Sequence, residues 1–498
     1  MDLKSTRAKR DSGLFRKELL MLQPAEIQYF IDLDKTSKKK QMAKIGSRYY
    51  EGDHDIKDYK LFYYDKDGEL QQDKTRSNIK ISHPFFTELV DQEVQYLLSS
   101  KDGYVFSSDP TLQKALDEYF NNNEDFEVEL NDLITGAIAR GFDYLYAYKN
   151  KNGKTSFQYA DSLGVVEVRA KDASDNCDYI INWYVDRFNE RNEPIYKIEA
   201  WDSEQCYFYK KIGSGSIFFD DEEEITPRRH ILYEKDENGD QVYESYGRIP
   251  FFRLDNNRKQ FSGLKPIKEL IDDYDLMSCG LSNNLQDANE YLVVVSGFQG
   301  DNFDELQRNL KTKKIVGVDE NGSVDYKTVS IPYEARKAKL ELDKENIYRF
   351  GMGFNASQVG DGNVTNVVIK SRYSLLDLKV NKLEKYVKKL MRSIVGVVLK
   401  EINAELETQY TQKDVNIVFE REIMTNATDN AQIKLLNAQE RQTELQSILN
   451  AAMYLGDDET RKLICEVLDI DLEELESDDD YILKLLKGAE DELQTEKV

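Results

Sequence analysis

The stretch VVIKSRYSLLDLKVNKLEKYVKKLMRSIVGVVLKEI, residues 367–402, decides how the chain is read. Leu376, Val380, Leu383, Val387, Leu390, Ile394 and Val397 are spaced four and three residues apart, which lines them along one face of an α-helix. The segment has no proline, and its one glycine, Gly396, falls in the last turns. At 1.5 Å per residue it would run roughly 54 Å, longer than an ordinary globular helix. From Lys370 to Lys400 it carries nine Lys/Arg against two Asp/Glu, in a chain of net charge -25. By itself this pattern is that of a long amphipathic core helix with a solvated basic face. Ahead of it lies FGMGFNASQVGDGNVTN, residues 350–366, a polar loop with four glycines, and ahead of that a helical stretch at 333–348. The order is therefore helix, Gly-rich loop, very long helix.

Working outward, 498 residues with 40% hydrophobic and 11% aromatic content suit a globular chain of several domains. No run of 18 apolar residues is present, so no membrane span is expected, and the basic N-terminus has no apolar segment behind it that would make a secretory signal. Cys177, Cys206, Cys279 and Cys465 are far apart, which suits reduced thiols of an intracellular protein rather than a disulfide framework or zinc site. The net charge argues against tight, wrap-around nucleic-acid binding, but not against a wall that a duplex slides past.

Residues 12–48 read as helical, with Leu14, Leu19, Leu20, Ile27 and Phe30 as core candidates, a break at Pro24, and Lys38, Lys39 and Lys40 on a solvated face. YYEGDHDI, residues 49–56, is expected to be a turn, since His54 and its flanking aspartates match no ligand spacing. After Pro84 a helix is expected with Phe86, Leu89, Val90, Val94 and Leu97 buried, then a second helical region at 112–138 ending near Gly141. Residues 142–260 alternate aromatic and β-branched with polar residues, the pattern of antiparallel hairpins. Turns ending in Asp-Gly or Asn-Gly, at Gly68, Gly153, Gly239 and Gly322, punctuate the chain. A helix is expected at 267–290, a small α/β insert at 291–332, a strand at 415–419, a helix at 426–450 and short helices from 457 onward. From Gly456 there are sixteen Asp/Glu against five Lys/Arg.

Catalytic motifs are scarce. His54, His83 and His230 are scattered, and no GxSxG, HExxH, Walker A or GxGxxG sequence occurs. Asp220–Glu224 is the densest acidic run of the β region, and reads as an exposed loop because five consecutive acids cannot all face one ion. Neither a metal nor another cofactor is expected.

The segments YYEGDHDI (49–56), FFTELVDQEVQYLLSS (85–100), GRIPFFRLDNN followed by LIDDYDLMSCGLSNNLQD (247–287), and GDGNVTNVVIKSRYSLLDLK (360–379) resemble, in order, the portal proteins (head-to-tail connectors) of long-tailed bacteriophages of the siphophage type and related prophages. Ser99 and Ser100 stand where the family usually has glycine, and Thr365-Asn366 replaces a Ser-rich pair. The resemblance implies an α+β portal fold. Its parts would be a mixed α/β wing (1–262), stem helices (263–290 and 333–350), a small α/β clip (291–332), a tunnel loop (351–366), a long helix and strand completing the wing (367–426), and an acidic helical crown (427–498).

It further implies a non-enzymatic ring, commonly of twelve subunits, at one capsid vertex of the virion, assembled in the host cytoplasm with no membrane. The terminase large subunit would package double-stranded DNA through the channel without sequence specificity. Major capsid and scaffolding proteins would surround the ring, and a head-completion (adaptor) protein would follow before DNA ejection. Tunnel-loop residues would be Phe354, Asn355, Gln358, Val359, Asp361 and Asn363, with the polar ones touching phosphates weakly at most. Arg308, Lys311, Lys313 and Lys314 would form the clip's interaction surface. Lys379, Lys382, Lys385, Lys388, Lys389 and Arg392 of the long helix would face acidic surfaces of neighbouring subunits, as a closed ring needs heterologous contacts. From the residues alone, a metal-dependent nuclease using 220–224 and a monomeric acidic adaptor stay open.

Overall fold

Pro24 opens the first described helix. It occupies the first turn of α1 (Pro24–Lys35), where its missing N–H costs no hydrogen bond. Ser37 then caps α2 (Lys38–Tyr50) by accepting from Lys40 N at 3.3 Å. The computed structural model describes residues 21–74, 76–169, 177–223, 226–233, 242–287, 292–298, 302, 318–327, 332–355, 366–421, 427–452 and 456–468. Leu14, Leu19 and Leu20 lie outside the described residues, as do the turn at Gly239 and the helix and first strand expected inside the 291–332 insert.

The chain divides into two compact units, residues 1–358 with 373–422, and residues 359–372 with 423–498. In the first, a hairpin β1 (Phe62–Tyr64) and β2 (Leu70–Gln72) follows α2, turning at Gly68 as expected. Next come α3 (Phe85–Leu97), a short β3 (Val105–Phe106), α4 (Pro110–Tyr119) and α5 (Glu124–Arg140), so the expected second helical region is two helices. The five apolar positions expected to be buried on α3 are buried. Gly141, at φ 101°, ends α5 in the left-handed conformation that glycine accepts most easily.

The β region is antiparallel throughout. Its strands are β4 (Phe142–Lys149), β5 (Thr155–Ala160), β6 (Val165–Arg169), β7 (Cys177–Phe188), β8 (Pro194–Trp201), β9 (Gln205–Ile212), β10 (Phe218–Phe219), β11 (Arg228–Arg229), β12 (Ile231–Tyr233), β13 (Val242–Glu244) and β14 (Phe251–Asp255). One sheet runs β10-β9-β8-β7-β6 with β11 beside β9, and a second runs β14-β4-β5. The period-two alternation of β7 decides the layering. Ile181 faces a core made with Leu22, Ile27 and Ile31 near and on α1, while Ile180 faces Phe142, Tyr144 and Phe251 of the second sheet.

Helix α6 (Lys268–Asp287) leads to the hairpin β15 (Leu292–Phe298) and β16 (Val318–Lys327), which returns through α7 (Tyr333–Gly351). Asn321-Gly322 is not a hairpin turn. It lies in an irregularity of β16 opposite Gly297, whose φ of 68° lets the two backbones meet at a spot where a side chain would collide. The long helix α8 (Asn366–Leu406) has 41 residues, and its seven expected core positions are all buried. It precedes a two-residue strand β17 (Asn416–Ile417) on β3, shorter than the strand expected at 415–419. The second unit contains α9 (Ala427–Ala451) and α10 (Asp457–Leu468), and residues 366–372 of α8 group with it. Among the described residues no helix is long and apolar enough to cross a membrane, and none of the four cysteines is in a disulfide.

Lys40 departs from expectation. It is buried rather than solvated, donates to Ser162 O and to Val165 O (2.6 Å), and pairs with Asp34 at 2.9 Å. Burial lowers its pKa against the pull of Asp34. Lys40→Met leaves two buried carbonyls and Asp34 without their donor. A stability loss of about 3–5 kcal/mol is expected by denaturant unfolding, whereas Lys38→Met, on the exposed side, should change it little.

Candidate functional site

Residues 78–83 form an extended strap along α6. Ile79 N donates to Asn283 Oδ1 (2.6 Å), Ile81 N to Cys279 Sγ (3.2 Å) and His83 N to Asp275 Oδ1 (2.9 Å). Two residues of extended chain advance about 6.6 Å, and four residues of helix about 6.0 Å. The two rises match closely enough that one helix face (275, 279, 283) meets every second N–H of the strap. Helix side chains thus replace the neighbouring strand that an extended segment would otherwise need.

Asp275 is the centre of this contact. It is fully buried, and both of its oxygens are held by histidines, His54 Nδ1 at 2.6 Å and His83 Nδ1 at 2.7 Å. Burial would raise its pKa, but the hydrogen bonds from His54 and His83 outweigh that and hold the carboxyl below its ordinary range. The His54 ring is stacked on Tyr49, with centroids 4.5 Å apart, and its Nε2 lies 3.3 Å from Tyr49 O. Tyr49 donates its hydroxyl to Asp272, and Lys268 bridges Asp55 (2.6 Å) and Asp272 (2.7 Å). The expected turn at 49–56 is present, and it is also a clasp on α6. His230 stays apart, 3.0 Å from Asp202 O.

A second mount lies at the end of α7. Lys339 ties α7 to α6 through Asp343 and Asp273 (2.6 Å). Phe85, first residue of α3, stands edge-on to Tyr274 of α6 (4.9 Å) and to Tyr348 of α7 (6.0 Å). Met352 adopts φ 56° and ends the helix. Gly351 and Gly353 then pass over Leu89 of α3 so closely that an added Cβ would lie 2.7 Å and 2.0 Å from its methyl carbons. Gln92 completes the mount, accepting from Phe354 N and donating to Phe354 O, both at 2.9 Å. Its amide also donates to Glu88, whose other oxygen accepts the Tyr348 hydroxyl at 2.6 Å. The Phe354 ring stacks on Tyr373 of α8, with centroids 4.5 Å apart.

Of the expected loop residues, Phe354 is therefore fixed at the mount, and Asn355 follows it. Gln358, Val359, Asp361 and Asn363 lie outside the described residues, as do Arg308, Lys311, Lys313 and Lys314. The six basic residues of α8 divide. Lys379 turns inward to the buried Glu93 of α3 at 2.8 Å, and Lys388 pairs with Glu384 on the same helix at 2.7 Å, so neither is free for a neighbour as expected. Lys382, Lys385, Lys389 and Arg392 are exposed and form no ion pair among the described residues. Arg421 binds two acids of the helix, Asp377 at 2.5 Å and Glu384.

The described part of the acidic run, 220–223, is a loop as expected, with Asp221 and Glu222 exposed, but three of its carboxylates are tied down. Asp220 is buried, Glu222 is bound by Arg187 and Lys210 (2.6 Å each), and Glu223 by Arg228 (3.4 Å). Hydrogen bonds from Lys210 and Arg187 pull the Glu222 carboxyl down to about 2. Among the described residues no group of histidine, cysteine and carboxylate side chains is arranged to hold a metal ion.

Two clamped helices that deliver a Gly-rich segment to a long third helix define a mixed helix-and-strand structural scaffold. Residues 31–479 match the family described as "Phage portal protein, SPP1 Gp6-like", and the chain belongs to that family. It is 27% identical over 350 residues to the portal protein of Bacillus phage SPP1, covering 70% of this chain and 67% of that one. It is 22% identical over 400 residues to the portal protein of Clostridium phage phiCD119, covering 75% and 84%. A chain of the solved structure titled "Neck of native GTA particle computed with C12 symmetry" aligns at 12% identity and TM-score 0.34, covering 76% of this chain and 90% of that one.

Two outcomes test the mounts. Gln92→Ala removes both bonds to Phe354, and should speed limited proteolysis just after residue 354 while lowering stability by about 1–2 kcal/mol. Asp275→Asn should lower stability at pH 7 by about 2 kcal/mol. Because the folded carboxyl titrates below its unfolded value, its contribution is complete above about pH 4 and is lost as the pH falls through the folded value. The gap between Asp275→Asn and the unmodified chain, followed by urea unfolding, should therefore close below about pH 4.

Proposed function

We propose that the chain is the subunit of a portal ring at one vertex of a phage capsid, the channel through which DNA is packaged and later ejected. The observation that carries this is the Gln92–Phe354 mount. It fixes the root of a polar, Gly-rich segment between two paired helices and a long one, as a channel wall needs if one loop is to meet the duplex while its base stays still. In this scheme α6 and α7 are the stem, the β15–β16 module is the clip, residues 351–366 are the tunnel loop, and the acidic residues from 427 are the crown. The sheets, α1–α5 and most of α8 make the wing.

The ring has about twelve subunits and closes through heterologous contacts. The clip, with Arg308, Lys311, Lys313 and Lys314, meets the terminase large subunit during packaging and the head-completion protein afterwards. Capsid and scaffolding proteins surround the wing, and assembly takes place in the host cytoplasm. Asn355, Gln358, Asp361 and Asn363 pass the phosphates without holding them, which suits a conduit whose ATP hydrolysis belongs to the motor. In the acidic run, Glu222 and Glu223 are each bound to basic side chains, an arrangement that serves the fold of the wing.

Mass measurement of the purified protein, with negative-stain images of the same sample, should give a particle of about twelve subunits with an axial hole. A clean monomer under conditions that include scaffold and capsid protein overturns the proposal. Replacing Gln358 and Asn363 together by lysine should leave the ring intact and slow DNA packaging, because added cations would grip passing phosphates.

A further inference from the structure

Two faces of the first compact unit are left without a partner, and they are complementary. The first is the β1–β2 hairpin, which pairs with no other strand among the described residues. Every residue of its two strands is exposed, and its apolar side chains range from 42% exposed for Tyr59 through Phe62, Tyr63 and Leu70 to 74% for Tyr64. A lone two-stranded hairpin is marginal in water, and one carrying this much aromatic surface calls for a cover. Its base is held firmly, since Asp73 N donates to Leu61 O at 2.8 Å and the strap on α6 follows at once. Its tip is acidic, with Asp67 and Glu69 in the turn ordered by Asp65.

The second face is a stripe on α8. Leu375, Leu378, Lys382, Lys385, Lys389 and Arg392 recur at intervals of three and four, within about 100° of arc on the side away from the buried stripe. Leu375 and Leu378 are 41% and 52% exposed, so the stripe is apolar at one end and basic at the other. The hairpin has the matching order, aromatic along its strands and acidic at its turn.

We propose that the hairpin of one subunit lies across this stripe on the α8 of the next, aromatic residues against Leu375 and Leu378 and the acidic turn against Lys385 and Lys389. The occupant is a second copy of this chain because a closed ring requires two different, mutually fitting faces on each subunit. The charges are opposite in sign, and apolar surface meets apolar surface. The contact rests on the ring reading above and gives it a named interface.

The test places the photoreactive residue p-benzoylphenylalanine at position 64 in the full chain. After irradiation of purified rings, covalent multimers are expected whose junction maps by mass spectrometry to the peptide containing Leu375 through Arg392. Rings that give no multimers, or junctions elsewhere, overturn the contact and leave the ring reading standing. Absence of rings from the unmodified chain overturns both. As a second measurement, K385E/K389E should lower the ring fraction about tenfold at limiting concentration, and D67K/E69K in the same chain should restore it. A reversal that leaves assembly unchanged, or is not rescued, overturns the contact.

Discussion

A carboxylate removed from water must have its charge met by protein groups, and Asp275 meets this requirement by gathering three separate segments. His54 comes from the turn after α2, His83 from the strap, and Asp275 itself from α6. The consequences run along the chain. His83 lies two residues before Phe85, so fixing His83 fixes the start of α3 between Tyr274 and Tyr348. The same helix carries Leu89 and Gln92 one and two turns later, and these hold the exit of α7. The exit of α7 at Phe354 is thus set, through α3, by a histidine pair bound to Asp275 of α6.

Charge is distributed with the same economy of position. The chain is strongly acidic, yet many described acids of the first compact unit are bound to a basic side chain, and Lys40 is buried on backbone carbonyls instead of facing solvent. On α8, Lys379 and Lys388 pair within the chain, while Lys382, Lys385, Lys389 and Arg392 face outward. A helix that directs some of its cations inward and shows others keeps a basic face on an acidic chain, and ion pairs made by such an exposed face weaken with salt.

Much of the architecture was legible in the sequence, because it depends on periodicity. The apolar stripe of α8, the buried face of α3 and the strands of the β region follow from spacings of 3.6 and 2. Phe142–Lys149 is one of the runs that the alternation marks, and it is a strand. Local chemistry was legible too, in the Gly68 and Gly153 turns and the Gly141 helix end. The segments that match the portal family pointed to the same fold. Glu88 and Gln92 lie four residues apart in one of those segments, and that spacing on a helix was a signal for the mount at Phe354.

What the sequence by itself determined is where helices and strands run, which face of each is apolar, and to which family the chain belongs, since all of these are written in residues near one another. What only the tertiary structure decided is which polar side chains meet. His54 and Asp275 are 221 residues apart, and Gln92 and Phe354 are 262 apart. The inward turn of Lys379, the burial of Lys40 and the pairing of Glu222 with Arg187 are likewise settled by neighbours distant in the chain. A polar residue's role depends on which partner stands within about 3 Å once burial has excluded water, and periodicity carries no record of that distance.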